Sequence, residues 1–89
     1  MKAIVSVLGK DRVGIMALIS DLCSKHNASI VDVNQTIVDD YFAMIMIVNI
    51  DELDVDFGDF VDIMSNKGKE NNLVIHAMHE EIFNMMHNI

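Results

Sequence analysis

The sequence predicts an α+β fold of the ferredoxin-like kind. This is a βαββαβ sandwich whose four-stranded antiparallel sheet carries two helices on one face, here with an added C-terminal helix. Three observations predict it. The apolar period switches between strand-like and helix-like in the order β-α-β-β-α-β. The 89 residues contain no proline and no low-complexity stretch, which argues against disorder. That length also suits one small domain spanning 1–89, with no room for a second.

Each element has its own signature. Lys2 to Leu8 is a short run rich in isoleucine and valine, ended by Gly9, and suits a strand buried on both faces. Ile15, Leu18, Ile19, Leu22, Cys23 and His26 then fall on one helical stripe, with Gly14 at the entry and Asn27 at the exit. From Ile30 to Val38 the pattern alternates, with Val31, Val33 and Ile37 on one face and Asp32, Asn34 and Thr36 on the other. Asp39-Asp40 makes a hairpin turn into a strand from Tyr41 to Ile50 that is apolar on both faces.

The acidic stretch Asp51-Glu52-Leu53-Asp54 is expected to start a second helix, because the helix dipole favours negative charge there. Its stripe is Phe57, Phe60, Val61 and Met64, with Gly68 as C-cap. Leu73 to Met78 is the fourth strand, and Ile82, Met85, Met86 and Ile89 mark a short terminal helix. Right-handed crossovers put the first and third strands in the middle of the sheet. On the third strand, Tyr41, Ala43, Ile45 and Ile47 oppose Phe42, Met44, Met46 and Val48. Only one of those faces can meet the two helices, so the tail helix or a second subunit must cover the other.

Composition narrows the partners. Fourteen acids outnumber six bases, for a net charge of −8. The bases (Lys2, Lys10, Arg12, Lys25, Lys67 and Lys69) are too few for direct nucleic-acid recognition or an anionic membrane surface. No apolar run approaches a transmembrane span or a signal peptide, and Cys23 is alone, so a cytoplasmic setting is expected. A domain this small buries only roughly two-thirds of its unfolded surface. Yet 52% of its residues are hydrophobic, a surplus that points to a second chain.

The segment Gly9-Lys10-Asp11-Arg12-Val13-Gly14-Ile15 joins the first strand to the first helix, where unpaired backbone N–H groups can receive an anion. Glycine at 14 would allow close approach of a ligand. Neither a P-loop nor a G-x-G-x-x-G pattern is present. The alternative is a tight turn in which Asp11 merely caps the helix.

The loop at 9–15, the strand order and Asp32-Val33-Asn34-Gln35-Thr36 on the second strand together resemble an ACT domain. More narrowly, the chain resembles small stand-alone ACT proteins, akin to the ACT modules of the glycine cleavage system repressor and of formyltetrahydrofolate deformylase. The resemblance runs through the ending Ala-x-x-x-x-Ile-Phe-x-x-Met-His-x-Ile at Ala77 to Ile89. It implies a non-enzymatic regulatory module, a homodimer that binds an amino acid or similar small carboxylate and acts through a partner protein. Carried onto this chain, the amides around Val13, Gly14 and Ile15 would hold the carboxylate. Asp11 would meet the ammonium group or cap the helix, and Arg12 adds charge beside it. Asn34 or Gln35 would approach from the partner subunit. The chain departs from relatives with asparagine in the loop, since Lys10-Asp11-Arg12 is more charged.

Other constellations are weaker. His76, His79 and His87, near Glu80 and Glu81, invite a metal reading, but residues three apart on a strand point to opposite faces and no H-E-x-x-H motif exists. Aligning Asp54 and Asp56 with an EF-hand loop puts Gly58 one position early and Ser65 where glutamate belongs. Cys23 sits on an apolar stripe, and no serine has a nucleophile-elbow context, so no catalytic group and no cofactor is expected. Met44, Met46, Met78, Met85 and Met86 are expected to line the dimer contact. Two alternatives to the ligand-binding module are a ligand-free homodimeric assembly piece and a small metal-binding protein.

Overall fold

A computed structural model describes residues 1–87, and for His87 the backbone alone. The elements are β1 (Lys2–Lys10), α1 (Ile15–Lys25), β2 (Ser29–Val38), β3 (Tyr41–Asn49), α2 (Phe57–Glu70), β4 (Leu73–His79) and α3 (Glu80–His87). The strands form one antiparallel sheet in the order β2-β3-β1-β4, with β1 and β3 central. This is the ferredoxin-like arrangement with an added helix.

The core lies between the sheet and the two main helices. Ala3, Val5 and Val7 of β1 meet Phe42, Met44, Met46 and Val48 of β3, Ile15, Ile19, Leu22 and Cys23 of α1, and Phe60 and Met64 of α2. Burying each large apolar side chain contributes about 1.5–3 kcal/mol before the ordering cost is subtracted. Met44 and Met46 are 2% and 0% exposed on this inner side. They belong to the core, and the expectation that they line a dimer contact is corrected. The period-2 alternation of β3 turns their side chains toward the helices.

Several boundaries differ from the sequence reading, each for a tertiary reason. β1 continues through Gly9 to Lys10 because β4 pairs with it as far as Gly9 and β3 as far as Lys10. Gly9 is a point of close approach, since a Cβ there would lie 2.6 Å from Leu73 Cδ2. α1 ends at Lys25, and Asn27 sits past its C-cap with a φ of 60°. On β2 the register shifts between Ile30 and Asp32, so Val31 has no partner across the strand pair.

The acidic stretch 51–56 is a turn, and α2 begins only at Phe57. That turn is pinned from outside, because the Asp54 N–H donates to the His26 carbonyl and His26 Nδ1 lies 2.9 Å from Asp54 Oδ1. The N-terminal ammonium pairs with Asp51 and holds its carboxyl below the ordinary aspartate range. Gly68 is not a C-cap. It lies buried inside α2, where a Cβ would come 2.6 Å from the Leu73 carbonyl oxygen, and Asn71 takes the C-cap position. The inner side of α2 uses Phe57, Phe60, Ile63 and Met64, with Ile63 rather than Val61 packed against the core.

The sheet's outer side, away from α1 and α2, is only partly covered. Ile4 lies on it yet is 8% exposed, and α3 packs against β1 and β4 at that end. Leu8, Ile45, Val74 and Tyr41 on the remainder are exposed.

Candidate functional site

The β1–α1 loop is held by contacts from distant parts of the chain. The Asp11 N–H donates to the Asp40 carbonyl at 2.8 Å, and Lys10 Nζ lies 3.5 Å from Asp40 Oδ2. On the other side, the Arg12 guanidinium donates to Asn71 Oδ1 at 2.9 Å, while Asn71 Nδ2 donates to the Lys67 carbonyl in the last turn of α2. The loop is therefore tied both to the β2–β3 hairpin and to the C-terminal end of α2. Lys10, Asp11, Arg12, Glu70, Asn71 and Asn72 line a cleft of about 480 Å³ between the loop and the C-terminal end of α2.

Gly14 is the N-cap of α1, with a φ of 94° in the left-handed region that glycine adopts without a steric cost. The Leu18 N–H donates to its carbonyl at 2.9 Å, which closes the first helical turn. No side chain caps this end, and the first turn holds no acidic residue. The expected cap from Asp11 is absent because Gly14, three residues later, occupies the N-cap position. A Cβ added at Gly14 would meet nothing within 4 Å. The first-turn amides have no partner within a helix and lie at the positive end of the helix dipole. Val13 beside them is 97% exposed, while Ile15 anchors the helix in the core.

The remaining sequence candidates lie elsewhere. Asn34 pairs across from Ile45 and shares the outer side of the sheet, whereas Gln35 pairs across from Met44 and shares the helix side. Both are exposed on the edge strand β2, and neither lines the cleft beside Arg12. Asn34 instead joins Thr36, Ser6 and His76 around a hollow of about 610 Å³ on the outer side.

The histidines separate in the same way. His76 is exposed on the outer side, while His79 stacks on Phe57 with ring centroids 4.0 Å apart. The His87 side chain lies outside the described residues. Among the described residues, no three His, Cys, Asp or Glu side chains are placed to hold a metal ion. Cys23 is fully buried, and burial pushes its thiol up to about 11. No described helix is long and apolar enough to cross a membrane.

Sequence reasoning missed two of the loop's anchors, Asp40 and Asn71. Neither carries a local signal, because each meets the loop only through the fold.

The ACT-domain family model matches residues 2–77. A UPF0237 protein of Listeria innocua is 43% identical over 89 residues, covering all of both chains. Among solved structures, an ACT domain protein from Streptococcus pneumoniae superposes with a TM-score of 0.83 at 36% identity, covering 93% of each chain. A formyltetrahydrofolate deformylase from Pseudomonas syringae pv. tomato shares the fold, with a TM-score of 0.79 at 22% identity over 88% of this chain and 27% of that one. So does a putative glycine cleavage system transcriptional repressor, with a TM-score of 0.71 at 16% identity over 86% of this chain and 44% of that one. ACT domains are small-molecule-binding regulatory modules, and by the match along its length this chain belongs to the ACT-domain family.

Proposed function

We propose that this protein is a non-enzymatic, homodimeric, cytoplasmic regulatory module that binds an amino acid or similar small carboxylate beside α1 and acts through a partner protein. The observation that carries the reading is the uncapped start of α1 at Gly14, with free space above it and no acid in the first turn. A carboxylate there gains hydrogen bonds from unpaired amides and the favourable end of the dipole. The amides of the Val13–Gly14–Ile15 segment hold the carboxylate, Asp11 meets the ammonium group, and Arg12 keeps the loop in place through Asn71. Asn34 or Gln35 is supplied by the partner subunit. Ligand binding then couples to assembly to the extent that the dimer binds it better than the monomer.

A specific observation favours the ligand-free assembly piece as second reading. The two cations of this loop, Lys10 and Arg12, make their contacts to Asp40 and Asn71 within the chain.

A thermal-shift screen of the twenty amino acids and common small carboxylates, followed by calorimetry on any hit, separates the two. A saturable shift that disappears in Gly14→Val, with an unchanged circular-dichroism spectrum, supports the ligand site. A flat response to every compound refutes it in favour of the assembly piece.

A further inference from the structure

β2 is an edge strand of the sheet, so one side of its backbone has no strand beside it. The two-residue turn at 39–40 makes Val38 and Tyr41 the closing hydrogen-bonded pair of the hairpin. Bonded and open positions alternate along an antiparallel strand. Thr36 and Asn34 therefore bond to β3, while Val33, Gln35 and Ile37 turn their N–H and C=O groups outward. The Val33 N–H agrees with this phase, because it donates to Asp32 Oδ1 at 2.9 Å.

The run Val33–Val38 lacks the usual guards of an edge strand. It contains no charge and no proline, and the one register shift lies before it, between Ile30 and Asp32. Ile37 and Val38 are both more than half exposed. The opposite edge differs, since α2 packs against β4 and α3 follows it directly. An open and unguarded edge is a template for one more strand.

We propose that this edge docks an extended segment of the partner protein as a fifth strand, with a basic residue towards each end of that segment. Gln35 and Ile37 each offer it an N–H and a C=O, and Val33 offers its carbonyl. Charge selects the occupant. Every charge on β2 and its turn is negative, with Asp32 before the open run and Asp39 and Asp40 after it. Asp40 already faces Lys10 Nζ at 3.5 Å, so Asp32 and Asp39 are the acids that bracket the edge. Lysine or arginine at the ends of an added strand meets both, and the net charge of −8 draws such a segment in. A second copy fits less well, because its own β2 brings acids of the same sign against these.

This proposal rests on the reading that the module acts through a partner protein, and it adds how that partner is held. The test is amide hydrogen exchange of the full chain, followed by NMR, with a short capped peptide. The peptide has a lysine at each end and alternating valine and threonine between them. A control replaces its valines by proline, which keeps the charge but cannot pair along its length. The valine peptide is expected to slow exchange at Gln35 and Ile37 by about 10-fold or more. Asp32→Lys should weaken its binding by about 3-fold or more, and Ile37→Pro should abolish the slowing at Gln35. Circular dichroism checks that each variant folds, and should Ile37→Pro misfold, Asp32→Lys decides. No slowing, or equal slowing by the proline peptide, would overturn the docking edge. Slow exchange in the free protein that quickens on dilution would also overturn it, giving the edge to a second copy. Either failure leaves the carboxylate site standing, because the amino-acid screen reads that site separately.

Discussion

Arg12 and Asn71, 59 positions apart in the chain, are joined by a 2.9 Å hydrogen bond from the guanidinium to the side-chain carbonyl. The same Asn71 occupies the C-cap of α2 and donates to the Lys67 carbonyl. One asparagine thus links the end of one helix to the loop that begins the other. Replacing Asn71 by alanine removes both bonds, and Arg12→Ala removes one. The Arg12–Asn71 bond is exposed and the Asn71–Lys67 bond part-buried, so each variant should lose only about 0.5–1.5 kcal/mol of stability in urea unfolding. Amide hydrogen exchange at residues 11–14 should speed up in both. Unchanged exchange there would mean that the Asp40 anchor alone holds the loop.

Gly68 and Gly58 lie in the same helix but should respond oppositely to alanine. At Gly68 a Cβ would lie 2.6 Å from the Leu73 carbonyl oxygen, a backbone atom that cannot swing away. Alanine improves helix propensity by about 1 kcal/mol. The clash should exceed that gain and leave a net loss of about 1–3 kcal/mol as α2 is pushed off β4. Gly58 has nothing within 4 Å, so Gly58→Ala should be neutral or stabilising. Thermal melts of the two variants would check the pair of signs.

At Gly14 the constraint is the backbone and not the space. With a φ of 94°, any side chain there is strained, at a cost of about 1–2 kcal/mol. Gly14→Ala should therefore lower the melting temperature modestly and keep the fold. Its methyl group would project where a carboxylate is proposed to sit, so calorimetric affinity for any ligand hit should fall more than the stability loss explains.

Cys23 provides a test by pH. Its thiol is raised to about 11, so in the folded protein the reactive thiolate is scarce until the pH approaches that value. A raised thiol pKa means that folding favours the neutral form. The stabilising contribution of this group is present below the unfolded thiol value and is lost as pH rises through the folded one. Iodoacetamide should leave native protein unmodified at pH 8 and label it rapidly in denaturant. Rapid labelling of native protein would show that α1 opens readily.

Much of the fold was legible because the apolar periods are clean. The α1 stripe from Ile15 to Cys23 is buried as the spacing requires, and the alternation along β3 divides its residues between the two sides of the sheet. Where the reading failed, a distant contact overrode a local signal. Gly9 and Gly68 looked like terminators, yet both lie inside their elements, and at Gly68 the backbone of a neighbouring strand passes too close for a Cβ. The acids at 51–54 resembled a helix start, but His26 holds that segment as a turn. Within the candidate site, the loop and Gly14 could be located in advance. Their anchors on Asp40 and Asn71 could not, since hydrogen bonds between remote segments leave no periodic trace.

By itself the sequence determined the order of elements, the apolar stripe of α1, the central place of β1 and β3, and the loop that opens α1. These follow from side-chain period, turn chemistry and chain handedness, all of which act over short separations. Only the tertiary structure decided that Met44 and Met46 serve the core, that Gly14 alone begins the helix, and that Asn34 and Gln35 face opposite ways from one strand. It also gathered Ser6, Asn34, Ile45 and His76 into a single uncharged row. The physical reason is register: which residues become neighbours across a sheet depends on strands dozens of positions apart, and no local pattern encodes that alignment.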